Sequence, residues 1–237
     1  MKKRIGFKFL SAAAAVLASA GAASADPVSL VKLSGTTGTV PAAETAVYRA
    51  DLSGLSGNFA AIAISDASGK FGGAGGQFSG FDLDAIKLSS TNCFSAACVA
   101  SASSLNLFDF TSGILFTPGT QRAPTDPQLF GTGATPSTVN NAVATLGAFD
   151  AFSSTGTPAG FLSLGDNGSI VFNLSSAISG SGLYLYIGEV GDNGEVAGSN
   201  ITTLANPVPE PATWAMMIAG FALVGAALRR RPRFVTA

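Results

Sequence analysis

Histidine is absent from all 237 residues. Without an imidazole no Ser-His-Asp triad or His-assisted nucleophile can be built, and the commonest nitrogen ligand for metals is missing. Cysteine is almost absent: Cys93 and Cys98 are the only two. They do not form a C-x-x-C pair, which speaks against a redox motif, and two thiolates alone do not complete a four-coordinate zinc site. In an oxidising compartment they are expected to form a disulfide, and closing so short a loop contributes ~2 kcal/mol. Charge is scarce as well, at 11% of residues. Between Asp26 and Asn206 there are five cations against thirteen carboxylates, a net charge near −8. So acidic a segment is a poor partner for nucleic acid or anionic lipid and is compatible with divalent cations or with solubility alone.

What is present is organised from the two ends. Residues 1–25 read as a secretory signal peptide. Lys2, Lys3, Arg4 and Lys8 form a basic start, Phe9–Ala20 an apolar run, and Ala23-Ser24-Ala25 an A-x-A cleavage site that leaves Asp26 as the new N-terminus. No arginine pair precedes the apolar run, so the Sec translocon is the expected route rather than the twin-arginine one. At the other end, residues 207–237 fall into three parts. A proline-rich break (207–211) contains Pro209, Glu210 and Pro211. An uncharged run (212–228) contains Trp214 and Ala215. A basic end (229–237) begins with Arg229, Arg230 and Arg231. As a helix the uncharged run would be roughly 25 Å long, short for a bilayer core of about 30 Å but sufficient with snorkelling arginines and an interfacial tryptophan. The positive-inside rule keeps the arginines in the cytoplasm and sends everything before Pro207 outward.

This tail resembles the PEP-CTERM sorting signal, in its PEPxxWA variant. The residues that carry the resemblance are Pro209-Glu210-Pro211, Trp214-Ala215, the uncharged run and the arginine cluster. It covers only about the last 30 residues, and Pro232–Ala237 extends past the usual end of the pattern. The resemblance implies recognition and removal of the tail by an exosortase, a membrane-embedded cysteine transpeptidase of Gram-negative bacteria that make exopolysaccharide. It implies an inner-membrane-anchored precursor, later placed at the cell surface or outside the cell. It concerns delivery and says little about the delivered domain.

Residues 26–206 are poor in helix formers and rich in Gly, Ser, Thr, Ala and Phe, with short apolar or alternating runs separated by turn residues. This pattern predicts an all-β fold, a single β-sandwich of jelly-roll or lectin-like type, followed by one C-terminal transmembrane helix. Strands are expected near Val28–Leu33, Thr45–Leu52, Phe59–Ser65, Phe78–Leu88, Ser104–Phe110, Ile114–Phe116, Gly160–Leu164, Ser169–Leu174, Leu183–Glu189 and Asn200–Leu204. Gly165-Asp166-Asn167-Gly168 is expected to turn a hairpin. Gly69–Gly76 and the proline-rich Pro118–Thr138 read as loops, and Val139–Leu146 as a short helix or strand.

Candidate chemistry lies in two acidic groups. Asp82 and Asp84 sit at i, i+2 on a strand, sharing one face while Phe81, Leu83 and Ala85 take the other. A solvated polar face, a calcium site and a catalytic carboxylate pair are the readings open for them. Glu189, Asp192, Asn193 and Glu195, spaced by Gly191 and Gly194, form either a polar turn or oxygen ligands for calcium, although the spacing is not that of an EF-hand. Exposed aromatics would suit a sugar, with Tyr48 a weak candidate. No catalytic residue is assigned. The expected function is that of a non-enzymatic exported protein of the polysaccharide or biofilm matrix or the cell surface. The alternative is a lectin-like module binding carbohydrate, calcium or both.

Overall fold

The computed structural model describes residues 25–38, 44–66, 74–153, 156–195, 199–206, 218–223 and 225. Ten strands follow in order: β1 (Ala25–Pro27), β2 (Val31–Thr37), β3 (Thr45–Asp51), β4 (Asn58–Asp66), β5 (Asp82–Ser89), β6 (Ile114–Thr117), β7 (Leu162–Ser163), β8 (Ser169–Ser179), β9 (Tyr184–Val190) and β10 (Ser199–Leu204). Two short helices, α1 (Ala96–Ser101) and α2 (Asn141–Ala144), interrupt them.

The strands form two five-stranded antiparallel sheets, ordered β1-β10-β4-β8-β6 and β2-β3-β9-β5-β7. The pairing is nested: β1 with β10, β3 with β9, β4 with β8 and β5 with β7. The chain is thus one long antiparallel ribbon folded back on itself, successive pairs going to alternate sheets. One core joins the two sheets. It takes Ile62 and Ile64 from β4, Ile170 and Phe172 from β8, Leu83, Ile86 and Leu88 from β5, and Leu185 and Ile187 from β9. These positions follow the two-residue period that a half-buried strand imposes, except for the step from Leu83 to Ile86, where β5 bulges.

Register fixes the ends of the ribbon. Ala25 lies opposite Leu204, so the segments before β1 and after β10 leave from the same end. The short links after Asp51 and after Ser179 lie at that end too, while Asp66, Asp82 and Val190 mark the opposite end.

The outer face of the second sheet is covered rather than solvated. Leu33, Val47, Ala85, Val99, Phe149 and Tyr186 form a second apolar cluster there. Ser95 caps α1 by accepting from the Cys98 N–H, and the Lys87 ammonium donates to the Val99 and Ala102 carbonyls at the helix's other end.

Several sequence expectations change. Ser104–Phe110 is not a strand: Asn106 has φ 51°, and Asp109 turns the chain by accepting from the Thr111 and Ser112 N–H groups. Gly165–Gly168 does turn, with the Gly168 N–H donating to the Gly165 carbonyl and Asn167 at φ 62°. It is no hairpin, because β7 and β8 belong to different sheets. The loop at Gly119 packs directly onto this turn: a Cβ on Gly119 would stand 2.4 Å from the Asp166 carbonyl oxygen, so a side chain is excluded there. Val139–Leu146 contains α2. Pro118–Thr138 holds no strand.

Most of the signal peptide, residues 69–73 of the glycine-rich loop and most of the expected span 212–228 lie outside the described residues. Residues 218–223 and 225 are helical, with Ile218, Phe221 and Leu223 exposed. Among the described residues no helix is long and apolar enough to cross a membrane.

Candidate functional site

The two acidic groups meet where β5 and β9 pair. A bulge between Leu83 and Ile86 sets two residues of β5, Asp84 and Ala85, against the single Gly188 of β9. Asp82 and Asp84 share the outer face, as the spacing requires, but Ala85 joins them there instead of facing the core. The solvated polar face is corrected: every residue of β5 is buried, because the segments around Asp150, Phe161 and Glu195 cover the strand.

Asp84 is fully buried. Its Oδ2 accepts from the Thr45 hydroxyl at 2.6 Å and its Oδ1 from the Asp150 N–H at 3.3 Å. Burial pushes its carboxyl up to about 7, the Thr45 hydrogen bond opposing the rise and the Asp150 charge adding to it. Gly188 leaves room for this carboxylate, since a Cβ there would come within 3.1 Å of the Asp84 Cβ.

Asp82 lies on the strand edge that β7 covers, and Ser163 donates to its Oδ1. Its own N–H donates to Glu195 Oε2 at 2.9 Å. Burial pushes the Asp82 carboxyl up to about 8, with Ser163 and Arg122 opposing and Glu189 adding. Glu195 is pushed up to about 9, by burial first and then by Asp82. Glu189 is buried at the end of the inner face and fastens the following loop by accepting from the Gly194 and Glu195 N–H groups. Burial raises it too, and the Tyr48 hydroxyl beside it is pushed well above the usual phenol range.

The rest of the second acidic group turns away. Asp192 is exposed and bridges to Lys32, and Asn193 is exposed at the rim. The six expected calcium ligands therefore divide into a buried trio (Asp82, Glu189, Glu195), an isolated Asp84 and two rim residues. Among the described residues no three His, Cys, Asp or Glu side chains are arranged to hold a metal ion.

Sequence reasoning missed Ser163, Phe78 and Phe161. Phe78, Phe161 and Val190 stand beside Asp82 around an open cavity of about 170 Å³, with Ser153, Gly191 and Asn193 at its edge. The sequence signal was faint, since these phenylalanines read like any other core aromatic.

The disulfide joins Cys93 to Cys98. Tyr186 holds its start, accepting from the Cys93 N–H and donating to the Thr91 carbonyl. Of the expected cleavage residues, Ala25 and Asp26 lie in β1 and Ala23 lies outside the described residues. Pro209, Glu210, Pro211, Trp214, Ala215, Arg229, Arg230 and Arg231 also lie outside them.

Comparison with curated proteins and with solved structures gives no match. A family profile, described as the PEP-CTERM protein-sorting motif, matches residues 207–231. That range begins just after β10 and contains the Pro-Glu-Pro break, Trp214 and the first three arginines, so the chain carries a PEP-CTERM protein-sorting motif at its C-terminal end.

Proposed function

We propose that the protein enters the Sec translocon, is held in the inner membrane by its tail, and is released by exosortase cleavage. It then serves as a non-enzymatic component of the cell surface or the extracellular polysaccharide matrix. The single observation that carries this reading is the 207–231 motif, which implies sorting by an exosortase-type system. The Ala25–Leu204 register supports it: both proposed membrane segments attach at one end of the β domain. The domain can then stand off the membrane with its Asp82 end outward; cleavage after Ala25 removes only the first residue of the edge strand β1, and the tail is cut beyond β10.

Mass spectrometry of the mature protein tests the reading. The expected C-terminus falls in or near 207–211, and cell fractionation places the product at the surface or in the medium. A mature chain that keeps Arg229–Arg231 refutes it.

A lectin-like module is the second reading. Its support is the nested pairing of β1/β10, β3/β9, β4/β8 and β5/β7 across two antiparallel sheets, a pattern compatible with the jelly rolls that lectin domains use. Retention of the protein on purified exopolysaccharide, with and without calcium, tests it. Passage through the matrix unretarded both with and without calcium would sink it.

A further inference from the structure

The end of the domain opposite the membrane junctions carries the cavity between Phe78, Phe161 and Val190. Phe130 stacks on Phe161 with ring centroids 4.4 Å apart and lies 5.6 Å from Phe78, so the aromatic wall is a braced three-ring cluster. Asp82 lines the same cavity and is only 7% exposed. Ser163 occupies its Oδ1, and the Asp82 N–H ties Glu195 beside it.

We propose that this cavity binds a small organic cation, an ammonium group carried on a body about the size of one sugar ring. The rings of Phe78 and Phe161 and the carboxyl of Asp82 line the same cavity, and an ammonium is attracted by aromatic quadrupoles and by Asp82 as its carboxyl ionises on binding. The cavity, walled by Phe78, Phe161 and Val190 with the polar side chains of Asp82, Ser153 and Asn193 around it, has the build of a small-molecule site. An inorganic divalent ion needs six to eight converging oxygens, and no three carboxylates among the described residues provide them. The excess of carboxylates over cations between Asp26 and Asn206, which remains with Asp82 and Glu195 protonated, draws cations toward the domain and disfavours anions. This inference goes beyond the delivery reading and stands or falls apart from it, since the mature C-terminus is read by a different experiment.

Proton release should accompany binding. Burial raises both Asp82 and Glu195, and Asp82 raises Glu195 further, so the buried pair retains proton that exposed carboxyls would lose by pH 7. The charged and titratable groups around them are Glu189 and Arg122, with Tyr48 and Asp192 acting on Glu189. An arriving ammonium favours the ionised carboxylate and expels a proton to solvent.

Titration calorimetry of the full chain in detergent at pH 7 tests this, with glucosamine as the probe and glucose and calcium chloride as comparisons. Two buffers of different ionisation enthalpy count the protons. The expected result is that glucosamine binds at least about tenfold more tightly than glucose, with measurable proton release and weakening by salt. Asp82→Asn and Phe78→Ala, each with an unchanged cooperative melt, should weaken binding at least about tenfold. A chitosan oligomer binding more tightly than the monomer identifies a polysaccharide source, and equal binding a free small cation. Equal binding of glucose, binding of calcium alone, absence of proton release, or no glucosamine binding overturns the proposal. The proton count on the unmodified chain does not depend on any variant folding.

Discussion

Replacing Asp84 with asparagine should stabilise the protein at pH 8 and leave it nearly unchanged at pH 4. Asp84 is fully buried, and its carboxyl is pushed up to about 7. An unfolded aspartate titrates near 3.9, so the folded protein keeps a proton that the unfolded chain has lost. The stability that the neutral carboxyl contributes is complete below about pH 4. It is lost as pH rises, and the loss levels off above about pH 7. A shift of roughly three units corresponds to about 4 kcal/mol as an upper value. Asparagine removes the ionisation while keeping the contacts. Its Oδ1 can accept the Asp150 N–H and its Nδ2 can donate to the Thr45 hydroxyl, which rotates to receive it. We expect a gain of about 2–4 kcal/mol at pH 8, or a Tm rise of about 4–16 °C for a domain of this length. The assay is thermal melting of both forms every half unit from pH 4 to 9, reading the difference between them so that other carboxylates cancel. A variant that is less stable at pH 8, or that gains equally at pH 4 and pH 8, would refute the reasoning.

Three further outcomes are expected. Glu195→Gln keeps the acceptor for the Asp82 N–H and removes a raised carboxyl, so its melting temperature should fall less than that of the unmodified chain between pH 5 and 9; parallel profiles would count against the buried pair. Replacing Cys93 and Cys98 together with alanine should cost about 2 kcal/mol by the loop-entropy model, measured by urea unfolding, and an unchanged midpoint would show that Tyr186 alone holds that loop. Gly119→Ala should cost about 3 kcal/mol, because its Cβ would meet the Asp166 carbonyl and the Gly168 nitrogen at 2.4 and 2.5 Å, whereas Gly54→Ala meets nothing within 4 Å and should change stability by less than about 0.5 kcal/mol; equal effects in a urea titration would contradict the close approach.

Much of this protein was determined locally and so could be read from the chain. The sorting tail is a linear motif: Pro-Glu-Pro, an uncharged run and arginines act through their order, and no fold has to bring them together. Ser169–Leu174, the start of β8, follows from two-residue alternation, and Thr45–Asp51, Ile114–Thr117 and Tyr184–Val190 from short apolar runs rich in β-branched and aromatic residues, signals that each strand carries by itself. The disulfide needed only an oxidising compartment and two cysteines. Tertiary structure decided the rest. Whether Gly165–Gly168 closes a hairpin depends on which sheet each neighbouring strand joins, and nested pairing between β1 and β10 or β3 and β9 links residues too far apart for any local pattern to show. The same distance hid the site. Asp82 and Asp84 alternate as a solvent-facing pair would, but Ser163, Asp150 and Glu195 arrive from distant segments and bury both carboxyls, and that burial raises both against the hydrogen bonds they accept.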